Sequence, residues 1–252
     1  MSLNLSSLKD IAIKHKALGL FLGGSQSRGS ADEFSDRDLG CIYDEKKTSV
    51  ELFIEEVVHA YSEIILFVNK GSSIAYHFRD EYGRFEIRLT SVNYIELTRE
   101  RVEAGELITA EDQDLIGNVK HGKYYHLDPQ FNELLQSINY SNKLQRTIIE
   151  TYLPLLDIDD LRIPIIRNDF FLLLHYGSEI YNIAIVLALA QVKLFSTSFK
   201  HEARLCKSFT PEAMHFIKYL RTAIREMDRD VFISLKVAEK EFEKNLLSIL
   251  SI

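Results

Sequence analysis

The sequence predicts an α+β chain, with a small mixed sheet and helices in its N-terminal half and a bundle of helices after it. Two observations carry that reading. Short apolar runs bounded by turn residues recur up to about residue 90, which is the mark of strands. From Gln130 onward strand signals nearly vanish and long helical periods take over. Mixed elements followed by a run of helices favour two packed domains over one wound sheet. The expected domains are 1–128 and 129–252.

Each element has its own signal. Ser6-Ser7 caps a first helix with Leu8, Ile11 and Ala12 on one face. Leu18 to Leu22 is an apolar run ending in Gly23-Gly24, a buried strand entering a sharp turn. Ser25 to Ser30 starts a brief helix, and Arg37 to Tyr43 reads as a second strand. Val50, Phe53, Ile54, Val57 and Val58 recur at helical spacing over 48–60, and Ile64 to Val68 is again a strand. Ser73–Arg79 and Arg84–Thr90 form a hairpin about 80–83. In its second strand Phe85, Ile87 and Leu89 point one way and Arg84, Glu86 and Arg88 the other. Helical patterns follow over 93–104 and 110–119, with a short strand expected within 121–129. In the second half, helices are expected near 130–153, 165–195, 201–208, 211–226 and 229–250, with Pro154, Pro164 and Pro211 between them.

Composition narrows the class. The net charge is −7 with an apolar fraction of 46%. That supports a substantial core and disfavours nucleic acid, whose partners usually carry a basic excess. Cys41 and Cys206 lack metal-ligand spacing and read as reduced core thiols of a cytoplasmic protein. Lys9, Asp10 and Lys14 interrupt the N-terminal apolar pattern, so no signal peptide is expected. The most apolar stretch, 170–190, contains His175, Glu179 and Asn182 and is expected to be a bundle helix rather than a membrane span.

The segment from Gly23 to Asp38 carries the chemistry. An apolar strand, a Gly-Gly-Ser turn, a short helix and then Ser35-Asp36-Arg37-Asp38 follow one another. Side chains at i and i+2 of a strand share a face, so Asp36 and Asp38 converge. Two carboxylates about 4 Å apart repel by roughly 4 kcal/mol at an effective dielectric of 20. A divalent cation removes that cost, and Mg²⁺ is usually held by one or two carboxylates plus substrate phosphates. Glu86 is the candidate third carboxylate, on the polar face of its strand, with Arg84 and Arg88 positioned to balance it or to contact phosphate. The parts together read as a site for metal-assisted nucleotidyl transfer.

Gly23-Gly24-Ser25-x-x-Arg28-Gly29-Ser30 with Ser35-Asp36-x-Asp38 resembles the signature of the DNA polymerase beta-like nucleotidyltransferase superfamily. Within it the layout is similar to the bacterial antibiotic nucleotidyltransferases of the lincosamide and streptomycin/spectinomycin types. The resemblance implies an N-terminal nucleotidyltransferase domain and a C-terminal helical bundle. It implies that Gly24, Ser25 and Ser35 contact a triphosphate, with Arg28 as the basic residue of the turn helix. It further implies that Asp36 and Asp38 bind Mg²⁺, with Glu86 as third ligand or base. Lys200, after the long bundle helix, matches a lysine that reaches the phosphates in relatives, although the usual proline before it is absent. Arg37 departs from the aliphatic residue common between the aspartates.

The expected reaction is transfer of a nucleoside monophosphate from a nucleoside triphosphate, ATP first among them, to a small-molecule hydroxyl such as that of a lincosamide or aminoglycoside. Asn168, His175, Glu179 and Asn182 fall in a helical sector about 60° wide. Within it His175 and Glu179 are the candidate acceptor-binding residues. His121 and His126 are not expected to bind metal. Two alternatives stand beside this reading: an acceptor that is a protein or a tRNA, and a nucleotide-binding module without catalysis. A homodimer is compatible with the family. No membrane partner is expected.

Overall fold

The structure, a computed structural model, describes residues 5–27, 37–61, 64–69, 73–80, 83–195 and 206–251. Its contacts divide the chain into two units, one of 1–101 with 108–139 and one of 102–107 with 140–252.

In the first unit, in chain order, stand α1 (Leu5–Lys14), β1 (Gly19–Leu22), α2 (Gly24–Ser27), β2 (Arg37–Tyr43), α3 (Val50–Tyr61), β3 (Ile64–Asn69), β4 (Ser73–Asp80) and β5 (Gly83–Ser91). They are followed by α4 (Val92–Ala104, whose last turn passes to the second unit), α5 (Ala110–His121), β6 (Lys123–Leu127) and α6 (Pro129–Ser137). The six strands form one mixed sheet in the order β3-β4-β5-β2-β1-β6. Strands β2 and β5 run parallel, and the other four neighbour pairs of this order are antiparallel. The expected α+β class and the hairpin over 73–91 are both present.

The alternation seen in the sequence sets the two faces of the sheet. Leu39 and Cys41 of β2 and Phe85, Ile87 and Leu89 of β5 are buried with Leu8, Ile11, Phe53, Ile54 and Val57 from α1 and α3. Burying each large apolar side chain there contributes about 2 kcal/mol. Phe78 and Phe85 are register partners, stacked with ring centroids 4.9 Å apart. On the other face, the Phe21 ring lies against the α-carbon of Gly40, where an added Cβ would fall 2.1 Å from the ring. The edge strand β3 is less covered: Ile65, Leu66 and Phe67 are all about half exposed.

A polar knot fixes α5. Thr109 caps it, accepting from the Asp112 N–H, and the Asp112 carboxylate accepts from the Thr109 N–H at 3.2 Å. The same buried carboxylate accepts from the Tyr94 hydroxyl and faces Arg101 at 3.3 Å. Removing one partner of a buried pair strands the other. Asp112→Ala is therefore expected to cost about 3 kcal/mol of stability by chemical denaturation. A loss below about 1 kcal/mol would mean the knot holds nothing.

The second unit is helical: α7 (Asn142–Tyr152), α8 (Arg162–Arg167), α9 (Phe170–Gln191), α10 (Pro211–Glu226) and α11 (Arg229–Leu250), with short 3₁₀ turns at 153–155, 158–161 and 206–208. Its core joins Leu144, Ile148, Leu173, Ile185, Leu189, Phe216 and Phe242. Gln145 donates from Nε2 to the carbonyls of Ala190 and Gln191, at 2.9 and 3.2 Å, closing the end of α9. By length and composition α9 could cross a membrane. Its C-terminal half, from Ala184 to Ala190, is largely buried against neighbouring helices, while Phe170, Phe171 and Leu174 are exposed.

Three expected helices differ, and of the one near 201–208 only a 3₁₀ turn at 206–208 lies within the described residues. The stretch 130–153 is two helices: α6 ends at Ser137, and Ser141 caps α7 by accepting from the Leu144 N–H. The helix expected over 165–195 begins at Phe170, since Asn168 turns left-handed at φ +54° and Asp169 caps α9. Asn168 is thus off the stripe on which the sequence placed it. The expected strand within 121–129 is β6, and α6 groups with the first unit, so the contact division falls after Asn139 rather than at 128.

Candidate active site

The site candidates gather where β1 ends and β2 and β5 begin. The Gly23 N–H donates to the Asp38 carbonyl at 2.7 Å, which holds the turn against β2. Gly24 follows at φ +58°, and a Cβ there would stand 2.0 Å from Asp38 Oδ2 and 2.9 Å from its Cγ. The Asp38 carboxylate therefore packs against a backbone position that must lack a side chain, in a conformation that favours glycine. Asn118 of α5 supports the turn from behind. Its Oδ1 accepts from the Gly24 N–H at 3.4 Å, and its Nδ2 donates to the Asp114 carbonyl.

Beside Asp38 lies Glu86. Register pairs Asp38 with Glu86 across the parallel β2–β5 ladder, and Glu86 with His77 across the antiparallel β4–β5 ladder. Register partners share a face, so Asp38, Glu86 and His77 form one row across three strands, each about 4.8 Å from the next. Two carboxylates about 5 Å apart repel by about 3 kcal/mol at an effective dielectric of 20. The Arg88 guanidinium meets that charge at Glu86, whose side chain is only 15% exposed. Arg88 donates from Nε to Oε1 at 2.8 Å, and His77 Nε2 lies 3.4 Å from Oε2. The apolar side chains of β5 fill the opposite face, which leaves Glu86 no alternative but the site side.

Of the residues singled out in the sequence, Gly24, Asp38 and Glu86 come together in this way. Asp36, Ser35, Arg28 and Lys200 lie outside the described residues, as does the Ser25 side chain. His175 and Glu179 are both exposed on α9 in the second unit, 3.9 Å apart at i, i+4. His126 Nε2 sits 2.9 Å from the Ala17 carbonyl, in a structural contact. Arg37 has its explanation on the far face of β2, where its guanidinium lies over the Phe85 ring, 5.4 Å from the centroid. The sequence reading missed His77 and Asn118. His77 was recoverable, since a hairpin that pairs 79 with 84 also pairs 77 with 86. Asn118 was not, because nothing local links α5 to the β1 turn.

Among the described residues no three His, Cys, Asp or Glu side chains form a metal cluster. The donor chemistry still fits a hard cation. Asp38 and Glu86 are neighbouring oxygen donors on one face, and the Asp38 carboxylate sits in a cradle that a Cβ would fill. One or two carboxylates with substrate phosphates are the usual protein share of a Mg²⁺ site.

The family model described as "Nucleotidyltransferase domain" matches residues 6–104, the span from α1 to α4. A search of curated proteins finds no match. Among solved structures, a nucleotidyltransferase-like protein from Exiguobacterium sibiricum 255-15 is similar at 10% identity and a TM-score of 0.42, over 96% of this chain and 76% of that one. A mutant of the Cid1 poly(U) polymerase bound to MgATP is similar at 18% identity and a TM-score of 0.29, over 46% of this chain and 39% of that one. The same polymerase with MgGTP bound gives 17% identity and a TM-score of 0.28, over the same shares. The chain carries a nucleotidyltransferase domain over residues 6–104.

Proposed function

We propose that the protein is a Mg²⁺-dependent nucleotidyltransferase that moves a nucleoside monophosphate from a nucleoside triphosphate, ATP in the first instance, to a hydroxyl of a small molecule. The observation that carries this is the row of Asp38 and Glu86 beside the Gly24 turn. In the reaction the acceptor oxygen bonds to the α-phosphorus, the bridge to the β-phosphate breaks, and pyrophosphate leaves. The hydroxyl proton passes to a base.

Asp36, Asp38 and Glu86 are the proposed metal ligands. Bound Mg²⁺ neutralises phosphate charge and polarises the phosphoryl oxygens. The chain supplies the rest. The turn bearing Gly24, Ser25 and Arg28, with Ser35, is the proposed seat of the triphosphate, and Lys200 is proposed to reach it. Glu86, held by Arg88 and His77, is the candidate proton acceptor as well as a ligand. His175 and Glu179 are the proposed acceptor-binding residues. The layout resembles the antibiotic-modifying branch, so lincosamides and aminoglycosides belong among the acceptors tested. Net charge −7 weighs against a nucleic-acid acceptor. The reading places the protein in the cytoplasm, where triphosphates are held.

The test is transfer of label from the α-phosphate of each of the four ribonucleoside triphosphates to a panel of hydroxyl compounds, with Mg²⁺ and with EDTA. The expected result is a labelled acceptor and stoichiometric pyrophosphate, both lost in EDTA. Calorimetric binding of ATP with Mg²⁺, but no pyrophosphate with any acceptor class, would instead support a binding module. No triphosphate binding at all would end the proposal.

A further inference from the structure

We infer that two copies of this chain associate through the outer face of α8 and the start of α9, with the two α8 helices antiparallel across a twofold axis. At about 100° per residue, Ile163 and Ile166 lie about 60° apart on α8, opposite the buried Pro164 and Ile165. Arg162 and Arg167 fall about 40° outside them, one on each side. Helix α9 packs against α8 and continues the surface with Phe170, Phe171 and Leu174. The Phe170 and Phe171 rings meet edge to face, 6.0 Å between centroids, and Phe171 is 83% exposed. A fully open side chain of this size presents roughly 200 Å², and the other four of these apolar residues are each about half open. Together the five expose roughly 500 Å², near the upper end of the largest apolar patch on a typical monomer. With the arginines and Asp160 around it, the face approaches the share of about 800 Å² that one partner gives to a standard interface.

The rim selects the occupant. Asp160 lies just before α8 and Arg167 at its end, and both are exposed. Among the described residues neither takes part in an ion pair. The neighbouring acids are engaged. Asp159 meets Lys236 at 2.9 Å, Asp157 accepts from the Asp159 N–H, and Asp169 accepts from the Leu172 N–H. A twofold contact lays one surface on its own image, so that residue i meets j and j meets i. Antiparallel α8 helices therefore bring Asp160 to Arg167 of the partner subunit at both ends, with the isoleucines at the axis. The two charges are separated by about 10 Å of helix, enough to frame those isoleucines. Lys and Glu, both depleted at interfaces, are absent from 151–178. A membrane could also take exposed phenylalanines, but 155–174 holds four aspartates against two arginines. That balance repels anionic lipid, whereas a second copy matches each sign with its opposite.

The test is sedimentation equilibrium of the full chain from about 1 to 100 μM. Wild type is expected at twice the mass of one chain at the upper end, with a Kd of about 10 μM. Phe171→Glu is expected to raise that Kd at least about 30-fold, because it removes an aromatic anchor and puts charge at the contact. Phe171→Ala should raise it about tenfold. Both variants should keep the circular dichroism of wild type, since the side chain is almost fully open. Arg167→Asp and Asp160→Arg should each weaken association about tenfold, since each sets like charges together at both ends. Mixed one to one, these two variants should form a mixed dimer about as tight as wild type, because both cross-copy pairs then have opposite signs. Wild type that stays a monomer at the highest concentration, a dimer unmoved by Phe171→Glu, or no tightening in the mixture would each overturn the inference. A monomer that floats with phosphatidylglycerol vesicles, and no longer floats as Phe171→Glu, would assign the face to lipid and overturn it as well.

Discussion

Asp38→Asn should lower nucleotidyl transfer by at least about a thousandfold while the fold survives. The substitution is isosteric, so the side chain can still pack against the α-carbon of Gly24. What it removes is a negative charge next to Glu86. Charge stabilisation at a metal-assisted site is worth several kcal/mol, and each 1.36 kcal/mol is about tenfold in rate. A loss of about 4 kcal/mol therefore gives about three decades. Stability should move the other way or not at all, because the repulsion between the two carboxylates is relieved. Pyrophosphate release, a thermal melt and a Mn²⁺ affinity by calorimetry separate these effects. The expected pattern is activity lost, melting temperature within about 3 °C of wild type, and cation affinity reduced. More than a tenth of wild-type activity in the variant would remove Asp38 from the site.

Gly24→Ala is the second large effect, and it acts by shape. The new methyl would stand 2.0 Å from Asp38 Oδ2, far inside contact distance, on a residue held at φ +58°. The left-handed conformation costs an alanine about 1 kcal/mol, before any clash is counted. Either the turn rotates or the carboxylate moves, and both misplace the group that the proposed chemistry needs within a fraction of an ångström. A misplacement of about 1 Å costs about 100-fold. We expect a loss of 100-fold or more in kcat/KM with about 2 kcal/mol of lost stability. Gly23→Ala is the internal comparison. A Cβ there meets its neighbours at 3.6 to 3.7 Å, ordinary van der Waals contact, and its activity should stay within about fivefold of wild type. Equal damage from both would show that the turn's general flexibility, rather than its fit to Asp38, is what matters.

The faces of the sheet were legible because alternation is a local property. Phe85, Ile87 and Leu89 against Arg84, Glu86 and Arg88 fixed which way Glu86 points before any coordinates. The parallel pairing that sets Glu86 beside Asp38 was only inferred from the motif. Its partners are far apart in sequence, and no period links them. Helix ends were less legible than helix faces. Asn168 extended the polar stripe of one long helix on paper, but as a left-handed residue it closes α8, and the capping carboxylate of Asp169 restarts the chain. In the same way, the hydroxyl of Ser141 starts α7 within one periodic stretch. The Arg37 side chain looked unaccountable because its partner, the Phe85 ring, belongs to the neighbouring strand.

Cys41 sits on the buried face of β2, three residues after Asp38, and burial pushes its thiol up to about 12. At neutral pH an alkylating reagent can reach a reactive thiolate there only after the strand has left its neighbours. With Cys206 changed to serine, the rate of covalent labelling becomes a clock that times how often the strand bearing Asp38 comes loose.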